Sequence, residues 1–192
     1  MAIPVPARPS GYRLGSRDAS LQLEVFLDLE CPFSKKAWPT MLALMNQSDG
    51  LTMGITAHPY VLCDHRQSWD VTKALVAIAG DDPLRGWRLI GHFYQHQQAF
   101  NSDACDGKTR QDLFGSIEDM AVKFDPDLAN ADLIKQIRAD SGPIANRAKA
   151  SIRYGIDRGV WSTPTFLVNG SEVPGMESSA TLKDWQDFFA SL

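Results

Sequence analysis

Cysteine is scarce: three thiols, Cys31, Cys63 and Cys105, stand in 192 residues. An odd and sparse set excludes the disulfide framework that holds small secreted domains together. No apolar run approaches the ~20 residues that a helix needs to cross a bilayer; a stretch such as Ala74 to Ala79 stops far short. Nor is there a block of one charge. The 19 basic and 23 acidic residues leave a net charge of −4, so neither a nucleic acid nor a membrane is expected as partner. The first 20 residues hold no apolar signal core, which leads us to expect a cytoplasmic protein. The acceptor patterns Asn46-Gln47-Ser48 and Asn169-Gly170-Ser171 then carry no glycan. A P-loop, a G-x-G-x-x-G run and a Ser/His/Asp arrangement are all missing. In a reducing compartment the question becomes which cysteine, if any, is reactive.

What is present is ordinary globular material, 44% hydrophobic and 22% charged. At this length roughly 70% of the unfolded surface can be buried, so no metal or disulfide staple is needed. The run LQLEVFLDL from Leu21 alternates and then becomes continuously apolar, as a strand entering a core does. Past Cys31, Phe33, Ala37, Met41 and Leu44 or Met45 recur at helical spacing, with Pro32 in the first turn and Pro39 as a kink. Residues 54–62 form a second strand candidate. Residues 64–158 read as four or five amphipathic helices without a strand. Asp82-Pro83 and Asp125-Pro126 read as helix starts, and Ile144, Ala148, Ile152 and Ile156 as one apolar stripe. Strands return at 163–170, where Asn169-Gly170 marks a two-residue hairpin. A last helix puts Leu182, Trp185, Phe188 or Phe189 and Leu192 on one face.

Cys31 stands where a buried strand gives way to a helix. Free N–H groups of the first turn point toward its sulfur, and the positive end of the helix dipole favours thiolate over thiol by ~0.3–1 kcal/mol. Ser34, three residues on, can donate a hydrogen bond to that sulfur, whereas the charge of Glu30 opposes ionisation. From position alone a reactive thiol and a buried structural cysteine are both open.

Residues Phe26-Leu27-Asp28-Leu29-Glu30-Cys31-Pro32-Phe33-Ser34 resemble the F-x-D-x-x-C-P-x-C signature of DsbA-like thioredoxin-fold oxidoreductases. Gly15-Ser16 and Ala19 are similar to the lead into that strand, and Pro39 to the kinking proline of its helix. Gly159 to Gly170, with Thr163-Pro164-Thr165 at its centre, resembles the family's cis-proline loop and hairpin, and the helical block its helical insertion. The resemblance implies an α/β thioredoxin-like fold, with residues 1–63 and 159–192 forming the thioredoxin-like domain and 64–158 the insertion. It makes the Thr163–Pro164 bond cis and sets it against Cys31. Thr163 would then offer main-chain groups to an extended peptide or to glutathione.

Two departures qualify this. The family's second cysteine is Ser34 here, and a serine cannot resolve a mixed disulfide by thiol exchange. A C-x-x-S monothiol site therefore needs Cys63, Cys105 or an outside thiol. Six residues before Cys31, where the family often buries an acid, stands Val25; Asp28 and Glu30 lie nearer and are expected to flank the site.

The resemblance thus points to a thiol-disulfide oxidoreductase, of the protein-disulfide isomerase and DsbA type, in which Cys31 and Ser34 are catalytic. Pro32, Phe33, Trp161, Thr163 and Pro164 would bind protein or peptide thiols and disulfides, with glutathione as co-substrate and no tightly bound cofactor. Two alternatives stand beside it. One is a redox-inactive peptide-binding module. The other is a kappa-type glutathione transferase or isomerase, though those enzymes usually carry serine where this chain has Cys31. Monomer and homodimer stay open.

Weaker constellations have plainer readings. His92 and His96 have metal-binding spacing but lack a third ligand, which reads as a solvated pair. Cys63-Asp64-His65 reads as packing at the core or rim, Cys105 as a thiol in an exposed loop between helices, and His58 as unremarkable. The five tryptophans read as core or groove aromatics, Trp161 at the cleft.

Overall fold

The alternating LQLEVFLD run forms β2 (Leu21–Asp28), whose first half alternates in burial while its second half is covered on both faces. One neighbour is β3 (Met53–Tyr60), which runs parallel with Leu21 opposite Met53 and Asp28 opposite Tyr60. A parallel pair needs a crossover, and α1 (Pro32–Asn46) supplies it. On the other side β4 (Thr165–Val168) runs antiparallel, with Val25 opposite Phe166. Short edge strands β1 (Tyr12–Gly15) and β5 (Ser171–Glu172) complete a mixed sheet of order β1-β3-β2-β4-β5. The computed structural model describes residues 5–46, 53–130 and 132–192. The acceptor pattern at 46–48 and the start of the N-terminal arm fall partly outside them.

Asn169 and Gly170 both have positive φ, 51° and 82°, as the expected tight hairpin requires. Asn169 Oδ1 also accepts the Gln22 N–H at 2.9 Å, which pins the turn to β2. Between β3 and β4 lie α2 (Ser68–Ala79), α3 (Pro83–Gln95), α4 (Arg110–Phe124), α5 (Leu133–Arg138) and α6 (Pro143–Asp157); α7 (Leu182–Ala190) closes the chain. No strand interrupts them among the described residues, and no described helix is long and apolar enough to cross a membrane. The Asp82 side chain caps α3 by accepting the Arg85 N–H at 3.0 Å.

Three local expectations fail, each for a packing reason. Asp125 starts no α-helix: it ends α4, its carboxylate takes the Arg85 guanidinium at 2.5 Å and the Asp127 N–H at 3.1 Å, and its carbonyl accepts the Leu128 N–H at 3.0 Å. Only a short 3-10 turn follows. The buried face of α6 is Ala145, Ala148, Ser151 and Gly155 rather than the isoleucine stripe, and Ile156 is 60% exposed. α6 presses so closely on β3 that a Cβ at Gly155 would lie 2.7 Å from the Tyr60 ring, and small residues alone fit there. On α1 the buried face is Ser34, Ala37, Trp38, Met41 and Leu44, while Phe33 points outward.

On α7, Trp185 and Phe189 are buried, and the Trp185 ring meets Phe166 edge-on with centroids 5.1 Å apart. Leu192 lies past the helix end and is exposed. Trp38 and Trp87 are core residues as well, whereas Trp69 is only half-buried. Because α7 clamps the β4 side of the sheet through one fully buried indole, Trp185→Ala is expected to lower unfolding free energy by about 3–5 kcal/mol in urea titrations. A loss under about 1 kcal/mol would mean that the clamp is not where the sheet is held.

Candidate active site

Four features converge at the end of β2. The chain turns after Asp28, the Cys31 N–H donating to the Asp28 carbonyl at 3.2 Å. The Cys31 carbonyl then accepts the Lys35 N–H at 3.1 Å, the opening bond of α1, which makes Cys31 the residue that caps the helix. Because β4 pairs with β2, the segment just before β4 is brought to the same end of the sheet. There the Thr163–Pro164 peptide bond is cis, and the Cys31 thiol donates to the Thr163 carbonyl with Sγ 3.2 Å from the oxygen.

The sulfur does not stand open at a cleft mouth, as a thiolate offered to a guest would: Cys31 is only 2% exposed. The loop carrying Thr163, itself buried, lies over it. Ser34 is also differently engaged than expected. Its Oγ accepts the Asp28 N–H at 3.3 Å and makes no hydrogen bond to Cys31. Pro32 and Phe33 stand outside, Phe33 at 60% exposure, and Trp161 at 82% is a surface residue. Phe33, Thr163 and Pro164 line a cavity of about 320 Å³ that continues along the loop between β5 and α7, with Pro174 and Met176 on its wall. Trp161 is not among its lining residues.

Asp28 and Glu30 do not flank the site but lie buried under it, at 0% and 4% exposure. Buried carboxylates persist only when their oxygens are satisfied, and these are. Asp28 accepts the Leu62 N–H at 2.7 Å, the Glu30 N–H at 2.8 Å and the Ser68 hydroxyl, and it pairs with His65 Nδ1 at 3.0 Å. Glu30 accepts the Gln67 N–H at 3.0 Å and the Ser102 hydroxyl at 2.6 Å. The helical block also holds the turn by its carbonyls. Tyr94 Oη donates to Asp28 O at 3.2 Å, and the Gln97 amide to Leu29 O at 2.9 Å and Cys31 O at 3.2 Å. Burial, with Asp28 and Cys31 nearby, drives the Tyr94 hydroxyl well above its ordinary range, so it stays a neutral donor.

None of Tyr94, Gln97, Gln67, Ser68 and Ser102 stands out in the sequence, because their partners are main-chain oxygens and carboxylates far along the chain.

The other thiols sit apart from expectation. Cys105 is buried, its Sγ 3.6 Å from the Phe100 carbonyl, and burial pushes that thiol up. Cys63, expected in packing, is exposed, and all three cysteines are free. His92 and His96 are half-buried rather than solvated, and each ring meets a backbone carbonyl, Met120 O at 2.9 Å and His92 O at 3.0 Å. His58 is buried, 3.0 Å from Glu24 and stacked on Phe26, so it belongs to the packing of the sheet.

The hydrogen bond to Asp28 raises the pKa of His65 above its ordinary value of 6.5. A histidine raised in this way contributes its stability fully below the unfolded value and loses it as pH climbs through the folded one. The difference in unfolding free energy between the wild-type protein and His65→Gln should therefore be largest below pH 6.5 and shrink above it. A flat difference, or one that widens with pH, would show that His65 is not charged against Asp28.

The family model described as Thioredoxin matches residues 8–188. No curated protein matches the sequence. Among solved structures, the chain is similar to a candidate protein-disulfide isomerase from Pseudomonas syringae, at 20% identity and a TM-score of 0.76, over 93% of this chain and 97% of that one. It is also similar to DsbA from Chlamydia trachomatis, at 16% identity and a TM-score of 0.68, over 100% of this chain and 94% of that one. The catalytic domain of Proteus mirabilis ScsC aligns at 17% identity and a TM-score of 0.63, covering 94% and 88%.

Proposed function

We propose, from the premise that the chain belongs to the thioredoxin family and has its DsbA-like fold, that it is a thiol-disulfide oxidoreductase working through the single sulfur of Cys31. The observation that carries this reading is the apposition of that sulfur, at the head of α1, to the Thr163 carbonyl 3.2 Å away.

The thiolate attacks one sulfur of a protein or peptide disulfide. A mixed disulfide forms with Cys31 as the second sulfur leaves as a thiolate and takes a proton from water. Ser34 has no sulfur with which to resolve it and Cys105 is buried on Phe100, which leaves the exposed Cys63 or an outside thiol, and we assign the step to the outside thiol. Glutathione, abundant in the cytoplasm where we place the protein, attacks the partner's sulfur, and Cys31 departs as thiolate. No tightly bound cofactor enters. Thr163 and Pro164 orient the partner as an added strand does, with Pro32 and Phe33 at its edge. An entering sulfur takes the place of the hydrogen bond between Cys31 and Thr163.

The burial of Cys31 favours a second reading, in which the same groove holds extended peptides without sulfur chemistry. Treatment of the Cys63→Ser protein with oxidised glutathione, followed by intact mass, separates the two. One glutathionyl adduct that disappears on adding Cys31→Ser is expected. An unlabelled Cys63→Ser protein whose peptide binding survives Cys31→Ser unchanged would leave only the scaffold.

A further inference from the structure

The cavity beside Cys31 has a one-sided charge. Of the residues that line it, only Glu172 and Glu177 carry ionisable side chains. Neither carboxylate pairs with a cation among the described residues, and Lys35 and Lys36, two and three positions past Phe33, are not part of its wall. The rest of the wall is uncharged and mixed: the hydroxyl residues Ser162, Thr165 and Ser178 alternate with Pro164, Pro174, Met176 and the largely exposed Phe33. One polar group is left over: the Thr163 hydroxyl is buried and has no hydrogen-bond partner among the described residues.

A cavity of about 320 Å³ in which Phe33, Pro164, Pro174 and Met176 form one apolar patch and two carboxylates stand unpaired among the described residues suits a side chain that is itself divided, a methylene stem carrying a positive head. Lysine and arginine have that form, and a cation near Phe33 gains from the ring face as well. A glutathione tripeptide, with two carboxylates and one ammonium, meets the same rim with the wrong sign.

We propose that this cavity selects the substrate of Cys31 by charge, taking disulfides in peptide segments that carry a lysine or arginine close to the half-cystine. The proposal rests on the oxidoreductase reading above. Glutathione keeps its place as the resolving thiol, since that step needs concentration rather than a docked tripeptide. Rim charges act mainly on association and are screened by salt.

The test uses the Cys63→Ser protein and three short peptides whose single cysteine is activated as a thionitrobenzoate disulfide, flanked by lysine, glutamine or glutamate. Release of the coloured thiol gives the second-order rate. The lysine peptide is expected to react about fivefold or more faster than the glutamate peptide at low salt, the order expected for two exposed charges. That ratio should fall toward one at about 0.5 M salt and in the double variant Glu172→Gln, Glu177→Gln. Equal rates at Cys31 for all three peptides, a faster glutamate peptide, or a lysine preference that persists in the double variant would overturn the charge selection and leave the oxidoreductase standing. Colour release that survives Cys31→Ser undiminished would instead sink the oxidoreductase, and the charge selection with it.

Discussion

The carbonyls and carboxylates of residues 28–31 are the points on which this structure turns. A strand that ends in the middle of a sheet and feeds a helix leaves polar main chain where little water reaches. Here Tyr94 and Gln97 donate to the Asp28, Leu29 and Cys31 carbonyls, while the Asp28 and Glu30 side chains collect donors from the start of the helical block. Unpaired groups at that depth would each cost about 1–3 kcal/mol. The turn that carries Cys31 is thus held from below by the helices that sequence reading sets aside as an insertion.

That arrangement explains why the helical block and the strand-helix unit share one site. β4 brings Thr163 and Pro164 to the sulfur from one side, through its pairing with β2, and Tyr94 of α3, with Gln97 just past it, fixes the backbone of the same turn from the other. The sulfur between them is directed at a carbonyl instead of at solvent. On the proposed function, a partner that reached it would exchange one hydrogen bond for its own main-chain contacts.

The buried acids show how a local pattern misleads. Val25 occupies the position where an acid is sought, and two carboxylates three and five residues further on lie beneath the thiol instead. Their neighbours in sequence, Leu29 and Cys31, are buried with them, so no periodicity separates the acids from the core. Only the convergence of Leu62, His65, Gln67, Ser68 and Ser102 accounts for their burial, and those contacts span more than thirty residues of chain.

The sequence alone determined what depends on short spacings. The strand from Leu21, the helix opening at Pro32, the capped start at Asp82 and the tight turn at Asn169-Gly170 all follow from neighbours within one or two turns of chain, as does the likeness around Cys31 and Pro164. What tertiary structure decided is what distant segments do to one another. Gly155 faces Tyr60 of β3 because two elements approach too closely there for a larger side chain, and Ser34 turns to the Asp28 main chain. Cys105 sinks onto Phe100 while Cys63 is left outside. Burial is a property of the neighbours that arrive, and a sequence names those neighbours only when they are close along the chain.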